Sequence, residues 1–271
     1  RAGFGGRHDW EGASILELGP GDNLGTGLML IARGARSYTA VDAHPLAEDA
    51  PAPFYDAVLR ELAGDGQQRA RAAWERFVAG GARPEPAARP RPEPAVAPAV
   101  AESATMRYLI DSRFDLAGLA GSGFSRVVSQ AAFEHFDDIA RTIRGVTAAC
   151  APGARFIAEI DLKTHTRWIR DVDPLNIYRY PDWYYDLWKF SGSPNRRRPG
   201  DYVKALRENG WVDIGVAASE SVPQSYAASA GPKMARRFRA KDAALEMLVV
   251  VVTARLPDSA ETREAPARRN T

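Results

Sequence analysis

The chain has 271 residues, 45% of them hydrophobic, enough to bury the core of one large domain or two small ones and too many for a chain disordered throughout. Lys+Arg 36 against Asp+Glu 34 leave a net charge of +2, too balanced to point to a nucleic-acid partner. The single cysteine, Cys150, excludes an internal disulfide and a thiolate metal cluster.

No apolar run approaches the ~18–20 residues that span a bilayer, so no membrane partner is expected. No secretory leader follows Arg1, and a cytoplasmic location is the expectation.

Ser14 to Leu18 reads as a short strand running into Gly19-Pro20-Gly21. Thr26 to Arg33 then has helical spacing, and Ser37 to Val41 is a second strand stopped by Asp42. Strand, glycine turn, helix and strand open a βαβ unit with a parallel sheet. Apolar positions three and four apart predict helices over 54–62 and 67–78. From 80 to 104, prolines at 84, 86, 90, 92, 94 and 98 remove backbone donors, and the tract is expected to lack regular structure. The sheet pattern resumes with strands over 106–110 and 124–129, a helix over 137–149, a Pro152-Gly153 turn and a strand over 155–160. After a long aromatic stretch, 164–199, come a helix over 200–209 closed by Gly210 and a strand over 211–217. A basic helical piece over 233–241 and a last strand over 245–256 follow. The polar stretch 257–271 reads as a flexible tail.

The chemistry concentrates in Glu17-Leu18-Gly19-Pro20-Gly21. Gly19 and Gly21 can adopt conformations closed to other residues and let a ligand approach the main chain. A dinucleotide fingerprint would place its third glycine at position 24, which is Leu, and this argues against a pyrophosphate cradle. Asp42, 23 residues after Gly19, can accept both hydroxyls of a ribose. Glu17 adds a negative group that suits an ammonium or sulfonium better than a phosphate.

Leu16-Glu17-Leu18-Gly19-Pro20-Gly21 with Val41-Asp42 resembles the first two motifs of class I S-adenosylmethionine-dependent methyltransferases. The likeness continues in Phe124 to Ser129, in Ala132-Phe133-Glu134-His135-Phe136, and in Cys150-Ala151-Pro152-Gly153-Ala154. It implies an α/β fold: a seven-stranded, mostly parallel, doubly wound, Rossmann-like sheet whose last strand is antiparallel. The whole of 1–256 would be one domain, with insertions over about 48–104 and 162–199. The resemblance also implies S-adenosyl-L-methionine as cofactor, giving S-adenosyl-L-homocysteine. Gly19 and Gly21 would line its methionine portion, Asp42 its ribose, His44 its adenine, and Gln130 with Ala131 its border. Asp111 or Asp115 would contact the adenine amino group.

A hydroxyl acceptor also needs a base or a metal to take its proton. His135, His165, Asp161 and Asp138 are the candidates for the base, each with an ordinary alternative as a cap, support or exposed loop residue. The oxygen and nitrogen ligands Asp161, His165, Asp171 and Asp173 match no strong metal signature, and no metal is expected. In the aromatic insertion, Trp168, Tyr178, Tyr180, Trp183 and Tyr184 would offer flat faces to a sugar ring or an aromatic small molecule. The competing reading is a helix capped by Asp182 that buries Tyr184, Leu187 and Trp188. The basic runs 196–198 and 236–239 read as solvated faces, or as a seat for an acidic substrate. The expected activity is O-methylation of a small-molecule or glycan hydroxyl. N-methylation, another use of the same cofactor, or a non-catalytic binding protein remain as alternatives, and a homodimer stays open.

Overall fold

The computed structural model describes residues 9–81, 85–86, 103–240, 243–258 and 261. Its centre is β1 (Ser14–Leu18), buried at every position. Side chains alternate across a strand, so Leu16 and Leu18 enter one core while Ile15 enters the other. β2 (Ser37–Asp42), β4 (Thr105–Ile110) and the two-residue β3 (Glu85–Pro86) extend the sheet on one side in parallel. β5 (Phe124–Gln130) and β6 (Cys150–Asp161) extend it in parallel on the other. β8 (Met247–Arg255) then runs antiparallel between β6 and β7 (Val212–Ser221). The order is β3-β4-β2-β1-β5-β6-β8-β7.

The seven longer strands and the antiparallel last one are those expected. β3 is an eighth, set at the edge by the Pro-rich tract, where a residue without an amide proton is tolerated. Outside β3, the expectation for 80–104 falls mostly beyond the described residues, as does that for most of 257–271. β6 also starts before the expected Pro152-Gly153 turn. Cys150 pairs with Phe124, the register shifts, and pairing resumes at Arg155.

Helices cover both faces. α1 (Gly25–Ala32) can lie close to β2 because Gly27 has no side chain: a Cβ there would overlap the ring of Tyr38. α2 (Ala52–Glu61) and α3 (Gly64–Ala79) follow the spacing read from sequence. Tyr55 of α2 stacks on Trp74 of α3 at 4.0 Å, and its hydroxyl accepts the amide of Leu24, tying this insertion to the glycine loop. On the other face, α4 (Ile139–Ala149) and α7 (Pro199–Glu208) bury Ile143, Val146 and Leu206.

The segment after β6 carries α5 (Arg167–Arg170), α6 (Asp182–Trp188) and, beyond β7, α8 (Gln224–Ala230), around a small core of its own built on Leu175, Tyr178, Met234 and Phe238. The expected basic helix over 233–241 is reduced to short 3-10 turns at Gly231–Lys233 and Arg236–Phe238. Arg196 and Arg198 are buried here rather than solvated. The Arg198 guanidinium donates to the carbonyls of Ala243, Ala244 and Met247. Arg196 donates to the Tyr180 carbonyl and to Asp182, and lies over Tyr185 and Phe238. No helix among the described residues is long and apolar enough to cross a membrane.

Candidate active site

Strand order reverses between β1 and β5, and the carboxyl ends of strands at such a switch point are where open α/β sheets hold ligands. A cavity of about 580 Å³ opens there. Gly19 and Gly21 form one wall, with φ of 68° and 72°. A Cβ on Gly19 would overlap that of Ala132, so only glycine leaves the gap between the first turn and the chain beyond β5. Asp42 ends β2 beside them. Its carboxylate accepts the amides of Gly21 at 3.2 Å, Ala43 at 2.7 Å and His44 at 3.4 Å. Burial raises its pKa and these amides oppose the rise. A carboxylate has about four acceptor positions, so room remains for a ligand hydroxyl. His44 lines the same wall.

Glu17 lies elsewhere. It is buried below the turn, outside the cavity lining, and accepts a short hydrogen bond from the Tyr38 hydroxyl. Burial lifts its pKa to about 7, against the hydrogen bond from Tyr38 and with help from Asp42. The expected encounter of Glu17 with a bound cation is therefore corrected: it is a floor residue.

Asp111 and Asp115 need the same correction. Asp111 accepts the amides of Arg113 and Leu116, Asp115 accepts that of Ala117, and neither lines the cavity. The cavity wall there is Ser112, Arg113 and Phe114 instead. Gln130 is exposed at the end of β5 and does not line the cavity, whereas Ala131 and Ala132 do.

The far wall is the turn 133–138 between β5 and α4. Phe133 is buried edge-on to Phe156 and Tyr202, and Asn195 bonds the carbonyls of Phe133, Glu134 and Phe136. So braced, the turn presents His135 to the cavity. The His135 Nδ1 lies 2.6 Å from the carbonyl of Gly192; a carbonyl only accepts, so Nδ1 carries the proton and Nε2 a lone pair. Burial lowers the pKa of this imidazole. His165 stands edge-to-face with it, ring centroids 4.9 Å apart, and its Nδ1 donates to the Lys163 carbonyl at 2.9 Å. The two histidines expected as catalytic candidates are thus neighbours. Asp161 caps the amide of Lys163 and is not part of the cavity lining, and Asp138 caps α4 through the Arg141 amide. Asp173, a metal candidate from sequence, is taken by Arg179 and Tyr226.

Glu134 was not singled out by its sequence context. It is 2% exposed, and among the described residues neither carboxylate oxygen has a hydrogen-bond partner. Burial raises its pKa to about 8, with the nearby amides of Glu134 and Asp161 opposing the rise.

None of the five expected substrate-side aromatics lines the cavity. Tyr178 is 1% exposed and donates to the Leu162 carbonyl under Arg198, which makes it a core residue. Trp168 is 79% and Trp183 71% exposed, and Tyr180 stacks on Tyr184 at the surface. The expected burial of Tyr184, Leu187 and Trp188 does not occur: no residue of α6 is buried, and Pro181 rather than Asp182 precedes the helix. The insertion reaches the cavity through Ser191 and Gly192, just beyond α6.

Neither a protein-family model nor a curated protein matches the sequence. Among solved structures the chain is similar to an S-adenosylmethionine-dependent methyltransferase of Mesorhizobium loti, at 20% identity over 90% of this chain and 91% of that one, with a TM-score of 0.45. It is also similar to phosphoethanolamine N-methyltransferase 2 of Haemonchus contortus in complex with S-adenosyl-L-methionine, at 12% identity and a TM-score of 0.47, over 92% of this chain and 49% of that one. A third is the carbon methyltransferase CurJ, at 16% identity and a TM-score of 0.45, over 92% and 49%. The chain spans about half the length of the latter two. Likenesses this distant add nothing to what the strand order itself shows.

Proposed function

We propose that the chain is an S-adenosylmethionine-dependent methyltransferase that acts on a hydroxyl of a small molecule or glycan. One observation carries this reading: at the switch point, a side-chain-free turn held open against Ala132 stands beside a carboxylate already oriented by three amides. The turn exposes main chain to the amino-acid portion of the cofactor, and Asp42 accepts from its ribose. His44 and the 112–114 loop border the adenine. The volume, about 580 Å³, suits a ligand of that size.

When bound, this cofactor supplies a methyl group on a positively charged sulfur, an electrophile that needs no further activation. The protein's task is to exclude water, align the acceptor and receive its proton. His135, with Nδ1 pinned to the Gly192 carbonyl, keeps an Nε2 lone pair for that proton, and a lowered pKa keeps the ring neutral near pH 7. α6 leads into the Ser191–Gly192 rim with its aromatic faces uncovered, and these form the acceptor side.

Equilibrium dialysis of folded protein against S-adenosylmethionine and S-adenosylhomocysteine tests the first half. Both are expected to bind, and uptake of neither would end the proposal. Labelled cofactor incubated with sugar, phenol and amine acceptors tests the second: transfer to an amine alone would overturn the hydroxyl assignment.

A further inference from the structure

We propose that Glu134, His135 and His165 form a binding site for one divalent transition-metal ion of the zinc, cobalt or iron type. One ligand atom from each of the three lies within 4.8 Å of the other two. Three features make this more than a chance grouping. The first is Glu134, a carboxylate 2% exposed with no hydrogen-bond partner on either oxygen among the described residues. A carboxyl so deeply buried is costly to ionise alone, and a bound cation removes that cost.

The second feature is the tautomer of both rings. Each Nδ1 donates to a main-chain carbonyl, of Gly192 and of Lys163. That arrangement fixes ring orientation and leaves Nε2 as a lone-pair donor, as in histidines that ligate metals. Two ring lone pairs and a carboxyl group are then available to one cation. The third is the support. Asn195 braces the 133–136 turn, while Thr164 accepts the Ile177 amide and donates its own to the Pro174 carbonyl, so both arms are held before any ion arrives.

The donor set selects the ion. Two imidazoles and one carboxylate suit zinc, cobalt or iron, whereas magnesium and calcium favour all-oxygen shells. Three protein ligands leave at least one coordination position for water or a substrate oxygen. The site stands apart from the methyl-transfer reading, since the ion can bind whether or not the chain transfers a methyl group. If that reading also holds, an ion here would acidify an acceptor hydroxyl in place of a free imidazole base.

The test uses tag-free full-length protein, stripped with chelator and titrated with Co²⁺ or Zn²⁺ by calorimetry, with Co²⁺ absorption as a second readout. A single ion per chain and visible bands of nitrogen and oxygen ligation are expected. Glu134→Gln and His165→Ala should each weaken binding by at least about 100-fold, since loss of a mere supporting partner already costs about 10–100-fold. Far-ultraviolet dichroism of the metal-free forms certifies folding; if His165→Ala does not fold, Glu134→Gln decides alone. No saturable uptake up to about 1 mM, or unchanged binding in the folded variants, would overturn the site. Dialysis against S-adenosylmethionine on the same stripped sample keeps this outcome separate from the fate of the methyltransferase reading.

Discussion

The glycine turn with Asp42 and the aromatic insertion border the same cavity mouth, yet they are built on opposite terms. In the first, every charged group has its partners inside the fold: Asp42 holds three amides, Glu17 the Tyr38 hydroxyl. The insertion instead leaves Trp168, Trp183, Leu187, Trp188 and Phe190 largely uncovered around a small core of its own. Surface that costs free energy to expose, beside a site whose polar groups are already oriented, separates two duties. On the proposed reading, the sheet edge pre-organises the cofactor and the insertion keeps contact area for the acceptor.

That separation breaks first, and most strongly, at the residue between the two regions. His135→Ala should lower turnover by about 10²–10⁴-fold, the ordinary contribution of a group that handles the acceptor's proton. Cofactor affinity should stay within about threefold. Loss of both together, measured by steady-state kinetics and calorimetry, would mean that the two sides are one binding unit.

The next effect belongs to the floor of the sheet-edge region. Glu17 has a folded-state pKa of about 7 against a reference of 4.5, so the folded chain holds this proton more tightly than the unfolded chain. Its contribution is fully present below about 4.5 and is lost as pH rises to about 7, worth about 3 kcal/mol at most. Urea unfolding of Glu17→Gln should lack this component, so the variant gains on the natural chain between pH 5 and pH 8. Parallel profiles would show that Glu17 stays ionised in the fold.

Asp42→Asn comes third. It should weaken S-adenosylmethionine binding by about 1–3 kcal/mol through lost charge-assisted hydrogen bonds, with no change in acceptor KM. Unchanged affinity in calorimetry would remove Asp42 from the ribose.

The same contrast governs what could be read from sequence. The turn and Asp42 were legible because their causes are local: a strand, a glycine that must take positive φ, and an acid at the end of the next strand. Asp111 and Asp115 lie outside the cavity lining, and which way an acid in a loop turns is set by backbone geometry that no local pattern encodes. The approach of Glu134 to His165 was not legible. The parallel register of β5 with β6 brings together ends that lie 31 residues apart in the chain, and no local pattern encodes that. For α6, the spacing of Tyr184, Leu187 and Trp188 defines an apolar face but not whether anything covers it.

The smallest effect sharpens the comparison most. Trp183 is 71% exposed, and its ring lies edge-on to Tyr184 at 5.6 Å. A side chain so little buried contributes little to folding, so Trp183→Ala should shift stability by less than about 0.5 kcal/mol. Cofactor affinity should not move either, because no atom of α6 lines the cavity. If the uncovered rings are acceptor-binding surface, however, the acceptor loses stacking contact, worth about 0.5–1.5 kcal/mol, and KM rises roughly 2–12-fold. A residue that changes neither folding nor cofactor binding yet changes acceptor KM can act only through the acceptor. Identical kinetics in Trp183→Ala and Trp188→Ala would leave α6 as surface with no part in recognition and would shift acceptor binding to Ser191–Gly192 and the 133–138 turn.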